Sequence, residues 1–434
     1  MYVETLITRT NNTIVLPMIS INLFLMVYIG TVCVITMFGL VIAKLNTDHM
    51  KKHGTQIPSI IQGIINKKEL KKIHRYSVDN RRFTMLRTGF SKIIFLYIIL
   101  SGILPWLALS LENLSVVLGG LIFFGVPVLL TTITGLPFDF YHSFILEERY
   151  GFNTKTIRTW VSDLIKAALV ISIIGAFLIV TILLMIEFAG KAWWIWAWSF
   201  FICFQLLMTV FYPSVIAPIF NRFTPLEDSK LVNAIEQLSK SEGLKLQGIY
   251  QMDATRRTRH TNAYVSGIGK TKRIVLFDSL VQTHTQEEVL AILGHEIGHV
   301  KKNHIRKRLI SLSLITMFLF FLASKLLTWD LIFNSFGFSL MPPYVGLFLA
   351  GILWEPVGFF LSPFEMAISR KFEHEADCYS VRISGGLAPL SAALRKMARK
   401  NLSNLWPHPL YIFFNYSHPP MLKRIEYLNT CKSK

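Results

Sequence analysis

Along most of this chain the hydrophobic positions do not alternate with polar ones; they run together. Seven stretches are apolar over about the 20 residues that a bilayer-crossing helix needs: 15–40, 93–111, 114–136, 164–188, 192–212, 309–327 and 344–368. The first follows a single basic residue, Arg9, with no small-residue cleavage site behind it, so it reads as a retained span and not as a signal peptide. The last is interrupted by Glu355, Pro356, Pro363 and Glu365. A carboxylate at Glu355 is costly in lipid and should face water or a partner; a water-lined wall and the bilayer edge are both open for it. Between spans five and six the pattern changes. The run 213–225, punctuated by Pro213 and Pro225, suits a loop leaving the membrane. Leu231, Ile235 and Leu238 recur at helical spacing within 228–243. Residues 248–252, 263–266 and 273–278 read as strands, and Gly267 and Gly269 suit a turn over 266–272. Thr285 with Glu288 three residues on is a helix-start signature, and 287–307 looks helical throughout.

Composition agrees with the spans. Of 434 residues 52% are hydrophobic, too many for an ordinary soluble enzyme. The formal net charge of +19 admits nucleic acid as a partner, but its distribution argues against it. Segment 44–92 carries Lys51, Lys52, Lys67, Lys68, Lys71, Lys72, Arg75, Arg81, Arg82 and Arg87, whereas the short connections 112–113, 187–191 and 330–343 hold only Lys191. That is the positive-inside pattern. It places the N-terminus outside and 44–92, 137–163, 213–308 and the C-terminus on the cytoplasmic side. The charge then belongs with membrane topology and anionic lipid, and no nucleic acid is expected. The four cysteines, Cys33, Cys203, Cys378 and Cys431, have no Cys-x-x-Cys spacing and look like neither a disulfide framework nor a zinc knuckle. Cys431 is fourth from the end, but Lys432 and Ser433 replace the aliphatic pair of a prenylation signal.

The chemistry is carried by His295-Glu296-Ile297-Gly298-His299. Residues four apart on a helix lie on one face, so both imidazoles can reach one metal ion. Glu296 sits about 100° further round, placed to act as a general base on water. The spacing thus supplies two zinc ligands and a base. The third histidine of a metzincin would fall at Ile305, which excludes that class, and His304, read as lying on another face of the same helix, is a poor ligand. Glu373 in Arg370-Lys371-Phe372-Glu373-His374-Glu375-Ala376-Asp377 is the better third ligand, with Asp377 on the same helix face able to hold a zinc-bound histidine in the required tautomer. Spacing favours Glu373, with Glu375 as the alternative. Strand, turn, strand, H-E-x-x-H helix is the order of the smaller zincins, and a mixed sheet beside that helix offers an edge for an extended peptide. Gly267-Ile268-Gly269-Lys270 is not a phosphate loop, because strand–loop–helix context is missing.

The expected fold is therefore a multi-pass α-helical membrane protein with seven transmembrane helices and a cytoplasmic-side, zincin-like α+β domain built from two chain segments. Residues 1–212 would hold five spans, 213–308 the first zincin-like segment, 309–368 spans six and seven, and 369–434 the segment with the third ligand. Such a chain resembles the type I CAAX prenyl proteases, integral-membrane zinc endopeptidases. Besides the seven spans and the motifs above, the resemblance rests on Glu147-Glu148-Arg149-Tyr150-Gly151-Phe152-Asn153, Pro218-Ile219-Phe220-Asn221-Arg222-Phe223-Thr224-Pro225-Leu226, Asn262-Ala263-Tyr264 and Ser417-His418-Pro419-Pro420. It implies one zinc per chain on His295, His299 and Glu373, with Glu296 as base. It also implies substrate binding along Asn262, Ala263 and Tyr264, and oxyanion support from His418 and Arg424. The implied substrate is a peptide or protein with a lipid-modified C-a-a-X end, cut after the modified Cys, within a water-filled chamber walled by the seven helices. The implied compartment is the endoplasmic reticulum in a eukaryote or the inner membrane in a bacterium. The sequence does not give an oligomeric state. Two other readings compete: a broad membrane quality-control zinc protease, and a seven-span transporter or receptor with a coincidental motif.

Overall fold

The computed structural model describes residues 19, 21–267, 269 and 272–433. Arg9, residues 15–18 and 20 of the first expected span, and residues 268 and 270–271 of the expected turn lie outside the described residues. Among the described residues seven helices are long and apolar enough to cross a membrane. They are α1 (Leu23–His53), α2 (Lys67–Leu100), α3 (Val116–Tyr150), α4 (Ile157–Phe188), α5 (Gly190–Phe220), α8 (His304–Leu326) and α9 (Pro343–Ile383). Leu23, Ile173 and Phe188 are among the many large apolar side chains left exposed on them, as lipid-facing surfaces require.

Several helices run past the apolar windows that reveal them. Hydropathy places the second crossing at 93–111, but α2 begins at Lys67, where Asn66 and Glu69 form a reciprocal capping box. Lysine and arginine are good helix formers, so the basic stretch simply continues the helix beyond the bilayer. The helix stops at Leu100; Gly102, at φ +77°, turns the chain into a separate short helix, Ile103–Ser110. The expected loop 213–225 is likewise mostly helix, because a π-turn at Tyr212–Ile216 absorbs Pro213 and α5 continues to Phe220.

The small sheet follows. Strands β1 (Phe223–Pro225), β2 (Leu246–Met252), β3 (Ala263–Ser266) and β4 (Lys272–Phe277) lie in the order β1-β2-β4-β3. The β2–β4 pair is parallel and the outer pairs are antiparallel, so the sheet is mixed and β3 is an edge. Ile249, Ile274 and Leu276 pack one face against Leu231 and Ile235 of α6 (Ser229–Ser241) and Leu293 of α7 (Gln286–Lys301). Helices α10 (Leu387–Lys400) and α11 (Met421–Leu428) complete this domain.

The run expected to be helical over 287–307 is two helices. Asn303 adopts the left-handed conformation, φ 56°, between α7 and α8, a place asparagine tolerates better than most residues. The cysteine expectation also fails: Cys378 on α9 and Cys431 beyond α11 are joined in a disulfide, brought together by tertiary packing across 53 residues that local spacing does not reveal.

Candidate metal centre

Helix α7 is fixed at its start by its own cap. Thr285 Oγ1 accepts from the Glu288 amide, Glu288 Oε2 accepts from the Thr285 amide at 2.9 Å, and the same carboxylate pairs with Lys396 of α10. Downstream, Gly294 and Gly298 face α9. A Cβ at Gly298 would stand 3.0 Å from Ala376 Cα, and one at Gly294 would stand 3.1 Å from Ser380 Oγ. Glycine at these two positions lets the helices cross at close range, and Ser380 Oγ donates to Ala291 O at 2.6 Å to fix the crossing. The second partner, α9, has 41 residues, about 60 Å of helix, roughly twice the hydrocarbon thickness. Its apolar first part crosses the membrane and its polar last part delivers Glu373 to the crossing point.

There His295 Nε2 and His299 Nε2 are 3.1 Å apart and lie 3.3 and 3.4 Å from the two oxygens of Glu373. Donor atoms sharing a tetrahedral zinc ion at 2.0–2.1 Å stand about 3.3 Å from one another. Glu373 is 2% exposed, and among the described residues its Oε2 has no hydrogen-bond partner. A buried carboxylate oxygen without a donor, facing two imidazole nitrogens, is what a cation would satisfy, so the residues fit a metal ion held by His295, His299 and Glu373. Glu375, the alternative from spacing, is turned away from these nitrogens.

The outer nitrogens of both rings are occupied, which sets the tautomers. His295 Nδ1–H donates to Asp377 Oδ1 at 2.7 Å. Arg424 holds that carboxylate from behind, with Nη2 2.6 Å from Oδ1 and Nε 2.9 Å from Oδ2. The guanidinium is buried and held by both oxygens of Asp377. Burial pulls the His295 pKa down, but the charge and hydrogen bond of Asp377 outweigh it, and the imidazole is pushed up to about 9. His299 is oriented by His304, from the start of α8. His304 Nδ1 is 2.9 Å from His299 Nδ1, and His304 Nε2 is 3.0 Å from Glu375 Oε2. His304 Nε2–H donates to the carboxylate, which leaves His304 Nδ1 to accept from His299 Nδ1–H. Its ring stacks on Phe372 at 4.1 Å. The turn at Asn303 folds His304 back onto the metal helix, where a single continuous helix would have carried it away. The nearby clustering of His, Glu and Asp was the only signal for it.

Glu296 is half-buried beside His295 and His299. Burial raises its pKa above the ordinary carboxylate value, and the opposing pull of His295 and His299 does not cancel that rise. The structure brings His418 to the same place, with Nε2 3.3 Å from Glu373 Oε1 and a ring 62% exposed. Asn262 directly precedes edge strand β3, and its carbonyl accepts from the Phe277 amide at 3.1 Å. Along β3 the side chains alternate: Ala263 is buried in the core shared with α7, while Tyr264 packs with Met252 and Val275 on the other side.

A family model described as CAAX prenyl protease N-terminal, five membrane helices, matches residues 46–222, and one described as peptidase family M48 matches residues 225–432. Among curated relatives, a CAAX prenyl protease 1 homolog of Arabidopsis thaliana is 33% identical over 380 residues, covering 85% of this chain and 89% of its own. CAAX prenyl protease 1 of Saccharomyces cerevisiae is 32% identical over 417 residues, covering 89% and 91%. The solved crystal structure of S. mikatae Ste24p superposes with a TM-score of 0.88 at 27% identity, covering 94% of this chain and all of that one.

Proposed function

The chain belongs to peptidase family M48, as an integral-membrane metalloprotease, and on that premise we propose that it is a zinc endopeptidase removing the C-terminal tripeptide from prenylated C-a-a-X proteins or peptides. The observation that carries this reading is the convergence of His295, His299 and Glu373 on one point beside Glu296, at the end of membrane-spanning helices. When bound, zinc supplies Lewis-acid polarisation of the scissile carbonyl and acidifies water. Glu296 takes a proton from the attacking water and passes it to the leaving amine. His418, exposed on the open side of Glu373, donates to the developing oxyanion. Arg424 and Asp377 keep His295 with its lone pair forward; His304 and Glu375 do the same for His299. The free edge of β3, with Asn262 at its head, receives the substrate backbone as an added strand.

We place the site on the cytoplasmic side. Support comes from contacts that join the basic segment to the metal-side domain: Arg399 pairs with Glu69, and the His408 amide donates to Asn46 at 2.8 Å. The positive-inside pattern then orients both. We keep the division at 212/213, 308/309 and 368/369, and the endoplasmic reticulum as the eukaryotic compartment. Cleavage of matched farnesylated and bare peptides by the purified protein tests the reading, with Glu296→Ala and a chelator as controls. Strong preference for the farnesylated peptide, lost in both controls, is expected. Equal cleavage of both peptides would favour general membrane proteolysis instead.

A further inference from the structure

A second group of metal-binding side chains lies on another face of α9. His374 and Cys378 are four residues apart and share that face, turned about 100° from Glu373. Cys431, from the segment after α11, meets them there. Its Cα is 5.0 Å from that of Cys378, to which it is bonded, and His374 Nε2 stands 3.9 Å from Cys378 Sγ. A nitrogen and a sulfur that share one tetrahedral zinc ion stand about 3.6 Å apart, given bond lengths of 2.0–2.1 and 2.3 Å. The ring is thus within a few tenths of an ångström of ligand position. Among the described residues its other nitrogen, Nδ1, is buried and has no hydrogen-bond partner, and its nearest ring neighbour is Tyr427 at 5.6 Å. Among the described residues the only polar contact of the imidazole is with sulfur. All three residues are half-exposed, which leaves a solvent side open for a further ligand.

We propose that, with its two cysteines as thiols, the chain has a second metal site formed by His374, Cys378 and Cys431, taking a soft-ligand cation such as Zn²⁺ with solvent as fourth ligand. Two thiolates and an imidazole are the donor set that selects such ions. The centre at His295, His299 and Glu373 offers no sulfur. The site rests on the cytoplasmic placement argued above, where thiols stay reduced. It would join the same two elements that Arg424 and Asp377 join, since Asp377 precedes Cys378 on α9 and Arg424 lies on α11 ahead of Cys431. Opening it from the bonded form is a two-electron step. A phosphine attacks one sulfur and the S–S bond breaks. Water supplies the oxygen of the phosphine oxide and the protons of the two thiols, which the metal then displaces.

Cobalt distinguishes the two centres, because only a thiolate site gives sulfur-to-cobalt charge-transfer absorption in the near ultraviolet. The full chain in detergent is stripped by chelator, reduced with a phosphine and titrated with Co²⁺ without oxygen. Two ions per chain and a charge-transfer band are expected in the parent protein. One ion and no thiolate band are expected in Cys431→Ser, and one ion with a lost or strongly weakened band in His374→Ala, with peptide cleavage retained in both. Glu296→Gln should keep the band while losing cleavage, so failure of the protease reading and failure of this one are separable. A single ion with no band in the reduced parent would overturn the proposal, as would a band unchanged in Cys431→Ser, or a folded chain whose disulfide resists the phosphine.

Discussion

Glu296 and His304 differ in what they do and in how visible they are. In the proposed mechanism Glu296 contacts the reacting water, so Glu296→Gln should lower kcat by about 10²–10⁴-fold, the scale of general-base catalysis, while bound zinc measured by mass spectrometry stays at the parent protein's level. Wild-type kcat in that variant would remove Glu296 from the mechanism. The ring nitrogens of His304 bond to His299 and Glu375 and its ring stacks on Phe372, so His304→Ala should weaken zinc binding by about 10–100-fold, read by competition with a chromophoric chelator, and restore kcat at saturating zinc. Proton linkage gives a further check. His295, pushed up to about 9, carries a proton at pH 7 in the metal-free protein, and zinc must displace it. Binding should release about one proton from this group, and apparent affinity should rise about tenfold per pH unit until pH passes 9 and then level off. Calorimetry in two buffers of different ionisation enthalpy measures the release. An affinity independent of pH between 7 and 9 would show that His295 is already neutral. His295, Glu296 and His299 are legible in the sequence because a four-residue spacing is itself a geometry, whereas spacing leaves Glu375 open beside Glu373. His304 is not legible, because its role depends on one positive φ at Asn303, and a hydrophobic pattern carries no sign of φ.

At the level of elements, the centre depends on how closely α7 and α9 approach. Gly298 sits where a Cβ would meet Ala376 Cα and Tyr379 Cβ, both at 3.0 Å. These are backbone and near-backbone atoms that cannot rotate away, so Gly298→Val must push the helices apart. The ligand histidines on α7 then draw back from Glu373 on α9. Zinc affinity should fall by more than tenfold in Gly298→Val and less in Gly298→Ala, with helix content by circular dichroism unchanged. Full zinc affinity in the valine variant would mean the crossing does not set the ligand geometry. This closeness was legible only in outline. The sequence reading placed both segments on one side of the membrane, but glycine's part in the crossing appears only once its neighbour across the interface is known. Element ends were the least legible. Hydropathy marks where lipid ends, whereas capping residues such as Asn66 and Asn22 mark where helices begin; α2 begins many residues before its apolar stretch, and α9 ends many residues beyond its own.

Across the whole molecule, contacts far apart in sequence hold the membrane helices in register with the metal-side domain. Arg257 NH groups donate to both Asp163 oxygens, at 2.8 and 2.9 Å, joining the segment before β3 to the start of α4. Within the membrane helices, Lys92 of α2 pairs with Glu355 of α9. This is the partner that Glu355 required, and it was invisible in the sequence because 263 residues separate the two. The pair ties the helix continuous with the basic segment to the helix that delivers Glu373. Removing one partner leaves the other charge alone in a poor solvent, which costs more than the pair contributes. The side chains are 27% and 38% exposed, so the loss should be smaller than the 3–5 kcal/mol of a fully buried pair, about 1–3 kcal/mol. Lys92→Met should therefore lower the unfolding midpoint in detergent and reduce zinc retention on heating. The double variant Lys92→Met with Glu355→Gln removes both charges and should recover more than half of the loss. If the two single losses simply add in the double variant, the charges are not coupled, and the register of α9 must be set by packing alone, through Phe123, Tyr344 and Leu349 in the core shared by α1, α2, α3 and α9.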